Sequence, residues 1–468
     1  MRHSIQHLFS KKESAPDAKR SKGSRDPRHI HVGLDFGSAF TKVVLRDVNA
    51  KNAWVFVPET SSKQSNLPFL IPSEIYFGTD HEDNHWLTIS RWDASNYVLP
   101  YPKLALHSIS SEGESSKDLL RAYEEAAANA GIRVEDLVES AACYFLAEVI
   151  RSIVSNLKKN ADLGFGENED DFISLCMALP AEDMGNAPIR ELFSRAIRRA
   201  FWQTFDGSQG DAPIVIDLVT LLEQWVDPTQ SELEDWQCSL YPEVSANMAA
   251  YTGSKASSEG LFQMFDVGAG TVDVSFFSFT RQSSGPKLSN FSGQLAFCGS
   301  STIERNAAAN LAGDTIEALR EIKEQGKPGT RAQRQELEQA KEVAGQETQN
   351  LSHRSIIEMR GKLPAPNQLN ETRLLFVGGG CAKIPYQDAV ADCWEGLHRV
   401  NRGVANIPRP MDLDGADDSW FKRLTVAYGL SIDSANRPPT SLPGDHQDVD
   451  RNSIARPERP QAASKDEC

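Results

Sequence analysis

The chain has 468 residues, of which 40% are hydrophobic, 8% aromatic and 24% charged. This is the composition of a globular protein of roughly two to four domains, and it excludes a fibre, a coiled coil or a wholly disordered chain. The 65 Asp and Glu residues outnumber the 49 Lys and Arg residues, leaving a formal net charge of −16. No specific nucleic-acid partner is expected, because neutralising phosphates needs clustered basic residues.

The cysteines, the N-terminus and the apolar runs indicate the cellular context. The seven cysteines include no Cys-x-x-Cys pair, which favours reduced packing thiols over disulfides or zinc ligands. The first residues lack the apolar core and cleavage site of a secretory signal. No run approaches the roughly 18–20 apolar residues of a membrane span. We therefore expect a cytoplasmic protein with no membrane span.

Both ends of the chain are polar. Residues 1–28 carry eight Lys or Arg against three acids, with almost no apolar periodicity, and are predicted to form a disordered basic tail. Residues 434–468 are rich in proline and mixed charge, and are predicted to form a second disordered tail. The folded part is therefore expected between residues 29 and 433.

Strands and helices alternate in the first half of this span. Residues 31–37 and 40–48 are predicted strands joined by a tight glycine-containing turn. Residues 172–180 read as a wholly apolar strand, and residues 187–203 as an amphipathic helix. A longer helix is predicted over 134–160, because apolar residues recur there at four-residue spacing. They are Leu137, Ala141, Phe145, Val149, Ile153 and Leu157.

The second half continues the alternation, so the predicted fold class is α/β. Residues 262–279 repeat the pattern of strand, glycine turn and strand. A charged helical region follows over 314–349, with an interruption at 326–329. Residues 372–380 read as an apolar strand running into three glycines, and a last helical stretch ends with residues 421–431.

Two glycine turns some 230 residues apart share one pattern, which is typical of two duplicated α/β lobes. One begins Asp35-Phe-Gly37 and the other Asp266-Val-Gly268. A glycine turn presents bare N–H groups to a phosphate with little steric obstruction. An aspartate before the turn can hold a hydrated magnesium ion. Two such turns facing each other would clamp a polyphosphate and its metal from both sides.

The order of these segments resembles that of the actin-like ATPase superfamily, and most closely the nucleotide-binding domain of DnaK-type heat-shock chaperones. The resemblance covers about residues 30–433. Its most specific segments are FDVGAGTVDVSFF, which resembles the second phosphate motif, and LLFVGGGCAKIP, which resembles the adenosine motif. The other matching segments are GLDFGSAFTKVV, LPFLIPSEIYF, YPKLALH, SLCMALPAE, YPEVSANMAAYTG and LEQAKEVAG.

The resemblance implies ATP or ADP and Mg²⁺ as cofactors, and it implies roles by position. Asp35 and Asp266 would hold magnesium through its water shell. Lys103, Glu243 and Asp266 would position the attacking water, and Thr271 would place its hydroxyl near the γ-phosphate. Phosphate contacts would come from Gly37, Ser38, Lys42, Gly268, Ala269 and Gly270. Adenosine contacts would come from Glu338 and Lys341, which share a helical face, and from Gly378, Gly379, Gly380 and Lys383.

The fold implied by the resemblance is a two-lobed actin-like ATPase, with duplicated ribonuclease-H-like lobes around a nucleotide cleft. Lobe I would span residues 29–248, lobe II residues 249–385, and a helical return to lobe I residues 386–433. About 35 polar residues follow, so the peptide-binding domain of a DnaK-type chaperone is not expected. The implied function is ATP hydrolysis to ADP and phosphate, which drives a conformational switch acting on a protein partner.

Three alternatives stay open. Lys42, seven residues after Asp35, matches actin and plasmid-segregation proteins rather than chaperones, which favours an actin-like filament former and self-assembly. A nucleotide-binding scaffold without hydrolysis is the next alternative. A sugar kinase is the least favoured, because spacing identifies no catalytic carboxylate or sugar pocket.

Overall fold

The computed structural model describes residues 25–449 except for several internal segments. Those segments are residues 60–66, 81, 83, 91–95, 111–116, 206–215, 219–236, 312–314, 364–370, 382–384 and 398–403. None of the helices in the described ranges combines the length and apolar composition needed to cross a bilayer. The described part is a mixed α/β fold, as the alternation predicts.

The strands build one seven-stranded, one six-stranded and one four-stranded sheet. In chain order they are β1 (His29–Asp35), β2 (Phe40–Asp47), β3 (Asn52–Val55), β4 (Ile71–Pro72), β5 (Glu74–Thr79), β6 (His85–Thr88), β7 (Tyr97–Pro100), β8 (Phe172–Leu179), β9 (Ile216–Asp217), β10 (Cys238–Pro242), β11 (Gly260–Val267), β12 (Val272–Gln282), β13 (Gly285–Ala296), β14 (Arg373–Val377), β15 (Val404–Ala405), β16 (Leu413–Asp414) and β17 (Thr440–Ser441).

Helices connect the strands and cover the sheets. The α-helices are α1 (Pro102–Ser108), α2 (Lys117–Ala130), α3 (Val134–Lys159), α4 (Ala181–Gly185), α5 (Ala187–Phe205), α6 (Glu243–Gly253), α7 (Ser300–Ala309), α8 (Ile316–Gln325), α9 (Arg331–Lys362), α10 (Tyr386–Asp392) and α11 (Asp418–Ser431). A π-helical turn (Cys393–Leu397) and two 3₁₀ turns (Ser434–Asn436 and Pro443–Asp445) complete the described elements.

The two larger sheets repeat one arrangement of strands. In the first, the order β3-β2-β1-β8-β10 pairs two neighbours antiparallel and then two parallel. In the second, β13-β12-β11-β14-β15 follows the same sequence of directions. The hairpin β1–β2 therefore occupies the position that β11–β12 occupies in the other sheet. This agrees with the repeat that the two glycine turns predict.

Most elements arise where the sequence pattern places them. The helix predicted over 134–160 is α3, and all six of its spaced apolar residues are buried in the first core. The predicted apolar strand is β8, whose residues after Phe172 are all buried. The charged helical region divides into α8 and α9 around residues 326–330, where Gly326 adopts a positive φ of 66°. The six described cysteines are free and buried, as expected of packing thiols.

Helices α6 and α11 pack against each other between the two larger sheets. Their backbones touch, since a Cβ built on Gly429 of α11 would lie 2.0 Å from the Ala246 carbonyl oxygen of α6. On its other side α11 packs on β1, where a Cβ on Gly33 would lie 2.1 Å from the Ala427 oxygen. Glycine at these two positions allows the close approach that places α11 beside both hairpins.

The polar segments that were predicted to be disordered are partly folded. Residues 434–449 run from α11 to the second sheet, where β17 pairs parallel with β13 at Leu288 and Ser289. At the other end, Arg25 pairs with Asp171 and Arg28 with Asp47. Composition misled here because these segments are held by ion pairs and main-chain hydrogen bonds rather than by apolar burial.

The chain returns to the first sheet later than the predicted boundary at residue 386. Tyr386 of α10 is fully buried in the core of the second sheet, and β15 extends that sheet beside β14. The crossing occurs before β16, which pairs with β3 of the first sheet. Residues 386–397 and 404–405 thus belong with the second sheet.

A buried histidine anchors the C-terminal segment. His31 of β1 lies with Nδ1 2.6 Å from the Ser174 hydroxyl and Nε2 2.7 Å from Arg437. An arginine can only donate, so Nε2 accepts and Nδ1–H donates to Ser174. Burial, reinforced by the charges of Arg437, His29 and Arg46, holds the pKa of His31 well below its usual 6.5.

Acid is therefore expected to destabilise the fold through His31. The unfolded chain takes up the proton near pH 6.5 and the folded chain does not, so this contribution is present above about pH 6.5 and is lost as the pH falls. We expect the thermal midpoint of His31→Gln to fall less than that of wild type between about pH 7 and pH 5. Equal slopes in wild type and His31→Gln would contradict the role of His31.

Candidate functional site

A cleft opens where the two hairpins, α1, α6 and α11 meet. It encloses about 510 Å³, part of which is open to solvent. Its walls come from distant parts of the chain. The lining residues are Asp35, Gly37, Ser38, Lys42, Lys103, Glu243, Asp266, Gly268, Thr271, Asp273, Gly378, Gly379, Lys422, Arg423, Thr425 and Val426.

The first turn is shaped by its glycine and by an ion pair. Asp35 ends β1, and its carbonyl accepts a hydrogen bond from the Gly37 N–H at 2.9 Å. A Cβ at Gly37 would lie 2.2 Å from the Phe40 oxygen, so the turn closes only around glycine. Lys42 stands opposite Asp35 in the β1–β2 register, and its Nζ lies 2.5 Å from the carboxylate.

The second turn joins β11 to β12, as the first turn joins β1 to β2. The Gly268 N–H donates to the Thr271 carbonyl at 2.9 Å, and the Gly268 carbonyl accepts from the Ser300 N–H at the start of α7. Asp266 precedes the turn and accepts a hydrogen bond from Asn247 of α6 at 2.9 Å. Asn247 in turn accepts one from the Thr425 hydroxyl of α11 at 2.5 Å. Both helices therefore orient the Asp266 carboxylate.

The two turns lie close to each other. A Cβ built on Gly270 would lie 3.3 Å from the Ser38 side chain of the first turn and 2.3 Å from Leu104 of α1. The closeness explains why glycine stands at 270. Asp35 and Asp266, although distant in the chain, consequently face the same cleft.

Lys103 and Glu243 form a second ion pair in the cleft. Lys103 lies at the start of α1 and Glu243 at the start of α6, with Nζ and Oε1 2.6 Å apart. Burial alone would lower the pKa of Lys103, but the charges of Glu243 and Asp35 and the hydrogen bond to Glu243 outweigh it and raise the pKa. Lys103 is therefore a firmly charged ammonium.

Burial and neighbouring charges raise the pKa of two aspartates in the cleft. Burial, followed by the charge of Glu243, raises the pKa of Asp266 to about 6. Burial and the charges of Glu243 and Asp266 raise the pKa of Asp273, its partner in the β11–β12 register, well above the usual value. Asp273 is only 6% exposed, and its Oδ2 has no hydrogen-bond partner among the described residues. A carboxylate cluster of this kind favours binding of a cation.

The donor set fits a hydrated hard cation such as Mg²⁺. Asp35, Asp266 and Asp273 supply carboxylate oxygens, which are the ligands that Mg²⁺ prefers. Oδ2 of Asp273 is buried without a hydrogen-bond partner among the described residues, and a bound cation would give it one. No group of three or more His, Cys, Asp or Glu side chains in the described ranges is arranged to enclose a metal by itself.

Several predicted site residues lie outside the cleft lining. Ala269 and Gly270 pack against the α7 start, where their carbonyls accept from Ser301 and Gly299. Gly380 packs against Val267. Glu338 and Lys341 of α9 do share a face, where they pair with each other at 2.7 Å instead of lining the cleft. Lys383 lies outside the described residues.

The sequence reasoning missed some of the lining residues. Asp273 ends the second glycine motif, so its symmetry with Asp266 was an available signal. Lys422, Arg423 and Thr425 carried no readable signal, because α11 presents them to the cleft only through its packing between the sheets.

Comparison with family models finds no match for this chain, and comparison with curated proteins finds none either. The geometry of the cleft therefore carries the functional argument.

Proposed function

We propose that the chain is a two-lobed ATPase of the actin-like kind, which binds Mg-ATP in this cleft and hydrolyses it to ADP and phosphate. The observation that carries the proposal is the meeting of two equivalent hairpin turns, one from each of two similarly ordered sheets. Each brings an aspartate and a glycine to one cleft.

The charges of the cleft support a polyphosphate ligand. Lys42 is paired with Asp35, and Lys103 with Glu243. The cleft therefore offers positive charge to a phosphate and, close by, negative charge to a metal ion. Phosphoryl transfer asks mainly for positioning and charge stabilisation, and the cleft supplies both.

Hydrolysis would use the side chains nearest the bound phosphate. In our proposal Asp35 and Asp266 hold the hydrated Mg²⁺, which neutralises charge on the phosphate oxygens when bound. Lys103 and Glu243, already paired at 2.6 Å, orient the attacking water. Thr271 places its hydroxyl where charge develops on the transferred phosphoryl group.

A phosphate that touches both turns would favour the closed arrangement of the two sheets. A ligand shifts a conformational equilibrium only through contacts made in one state, and contacts to both hairpins at once are of that type. The proposed output is an interaction with a protein partner. The second candidate is an actin-like filament former, favoured by the position of Lys42 in the cleft beside Asp35.

The test is phosphate release and ATP affinity measured on wild type and three variants. Thr271→Ala is expected to lower turnover about a hundredfold while sparing ATP affinity, because its hydroxyl acts in the transition state. Lys103→Ala should also slow turnover with affinity largely retained. Thr280→Ala, at an exposed site on the same strand β12, is the control and should match wild type.

Unchanged turnover in both cleft variants would refute the assigned roles. ATP binding without phosphate release in wild type would point to the scaffold. Light scattering that rises with ATP would point to the filament.

A further inference from the structure

Two cations of α11 border the glycine end of the cleft. Lys422 and Arg423 both line it beside Gly378 and Gly379. Unlike Lys42 and Lys103, neither is paired with a carboxylate in the described ranges. Lys422 is exposed and Arg423 is half-buried. A half-buried guanidinium has five N–H donors, which are available to the acceptor oxygens of a ligand.

The backbone holds this arginine against the turn. The Gly378 N–H donates to the Lys422 carbonyl at 3.1 Å, which attaches α11 to the end of β14. A Cβ on Gly379 would lie 2.8 Å from Nη1 of Arg423. The guanidinium therefore lies directly beside the Gly379 backbone, in space that any other residue would fill.

The cations of α11 lie close to the carboxylates that suit a metal. A Cβ on Gly378 would lie 2.4 Å from the Asp266 carboxylate, and Gly378 lines the cleft beside Gly379, Lys422 and Arg423. Burial and the charge of Asp266 raise the pKa of the Cys381 thiol, while Lys422 and Arg423 oppose the rise. A phosphate bound to a metal at Asp266 would therefore lie near the Arg423 guanidinium.

We propose that Arg423 is a specificity-determining residue that donates paired hydrogen bonds to a phosphate of the bound polyphosphate. The planar guanidinium matches two phosphate oxygens at once, which an ammonium does not. Lys422 adds positive charge at the rim. The cleft consequently selects a phosphorylated ligand over a bare nucleoside, and Gly379 is glycine because it leaves room for the guanidinium. The inference deepens the proposed function, on which its nucleotide part rests.

The test is calorimetric titration of the full chain with Mg-ATP, Mg-tripolyphosphate and adenosine. Arg423→Gln is expected to weaken both polyphosphates about tenfold or more and to leave adenosine affinity unchanged. Arg423→Lys should recover part of the lost polyphosphate affinity, since lysine keeps the positive charge but cannot donate two parallel hydrogen bonds from a planar group. Arg121→Gln, at an exposed site on α2 outside the cleft, removes the same charge and should bind like wild type.

A second variant moves the guanidinium without removing it. A Cβ in Gly379→Ala meets only the flexible end of Arg423, so the fold is retained, and polyphosphate affinity should fall as in Arg423→Gln. Wild-type tripolyphosphate affinity in Arg423→Gln overturns the inference, as does absence of tripolyphosphate binding by wild type. An equal loss of adenosine overturns it too, because the guanidinium would then stack on the base. If tripolyphosphate binds in a way that depends on Arg423 but ATP does not bind, the inference is supported and the proposed nucleotide function is refuted.

Discussion

Asp266→Asn is expected to lower ATP turnover by a hundredfold or more while leaving the folded protein at least as stable as wild type. An amide cannot replace the carboxylate as a partner of hydrated Mg²⁺, so charge on the phosphate is no longer neutralised. The amide nevertheless keeps the shape of the side chain and can still accept the hydrogen bond from Asn247. It also removes a negative charge that faces Glu243 and Asp35.

The pH dependence of unfolding tests the second half of this expectation. The pKa of Asp266 rises from 3.8 to about 6 on folding, so the folded chain binds more protons between these values. The unfolding free energy of wild type should therefore fall, through this group, as the pH rises from about 4 to about 6. Asp266→Asn lacks that slope. Phosphate release and thermal denaturation across this range measure both effects. Wild-type turnover, or a variant less stable than wild type at neutral pH, would contradict the assignment.

Gly429→Ala is expected to cost about 3 kcal/mol or more of unfolding free energy, because it forces two helix backbones apart. The added Cβ would lie 2.0 Å from the Ala246 carbonyl oxygen, and backbone cannot yield as a side-chain end can. Separating α6 from α11 would also break the hydrogen-bonded chain from Thr425 through Asn247 to Asp266. Stability and site geometry are thus lost together.

Urea denaturation of Gly429→Ala beside Gly253→Ala separates this clash from a general effect of alanine. Gly253 ends α6, and a Cβ there meets nothing within 4 Å. Alanine favours helix over glycine, so the control should match or exceed wild-type stability by up to about 1 kcal/mol. Similar midpoints for the two variants would show that the helices can separate without cost.

Sequence patterns correctly predicted the elements that depend only on neighbouring residues. Both hairpins follow from a glycine turn between apolar strands, and α3 follows from the four-residue spacing of its buried face. The Asp35 and Asp266 turns could be predicted to meet because their motifs match. Features created only by packing could not be predicted. Arg423 and its neighbour read as ordinary surface charges of a helix until the position of α11 is known.

The fold of the C-terminal segment, residues 434–449, could not be predicted from sequence patterns either. Its strand β17 has two residues, and Arg437 is held by hydrogen bonds to His31 and to the Leu430 carbonyl, neither of which has a periodic signature. Glu338 and Lys341 show the converse case. Helical spacing correctly predicts that they share one face of α9. Whether that face lines the cleft depends on how α9 packs in the fold, which the spacing does not specify.

The ion pair between Asp35 and Lys42 has a consequence for the order in which ligands arrive. With an ammonium 2.5 Å away, Asp35 has little to offer a lone divalent cation. An incoming triphosphate gives Lys42 a new anion to face and frees the carboxylate for the metal that the triphosphate carries. In the proposed ATPase, Asp35 therefore becomes a ligand of magnesium only when the metal and the nucleotide enter together as one complex.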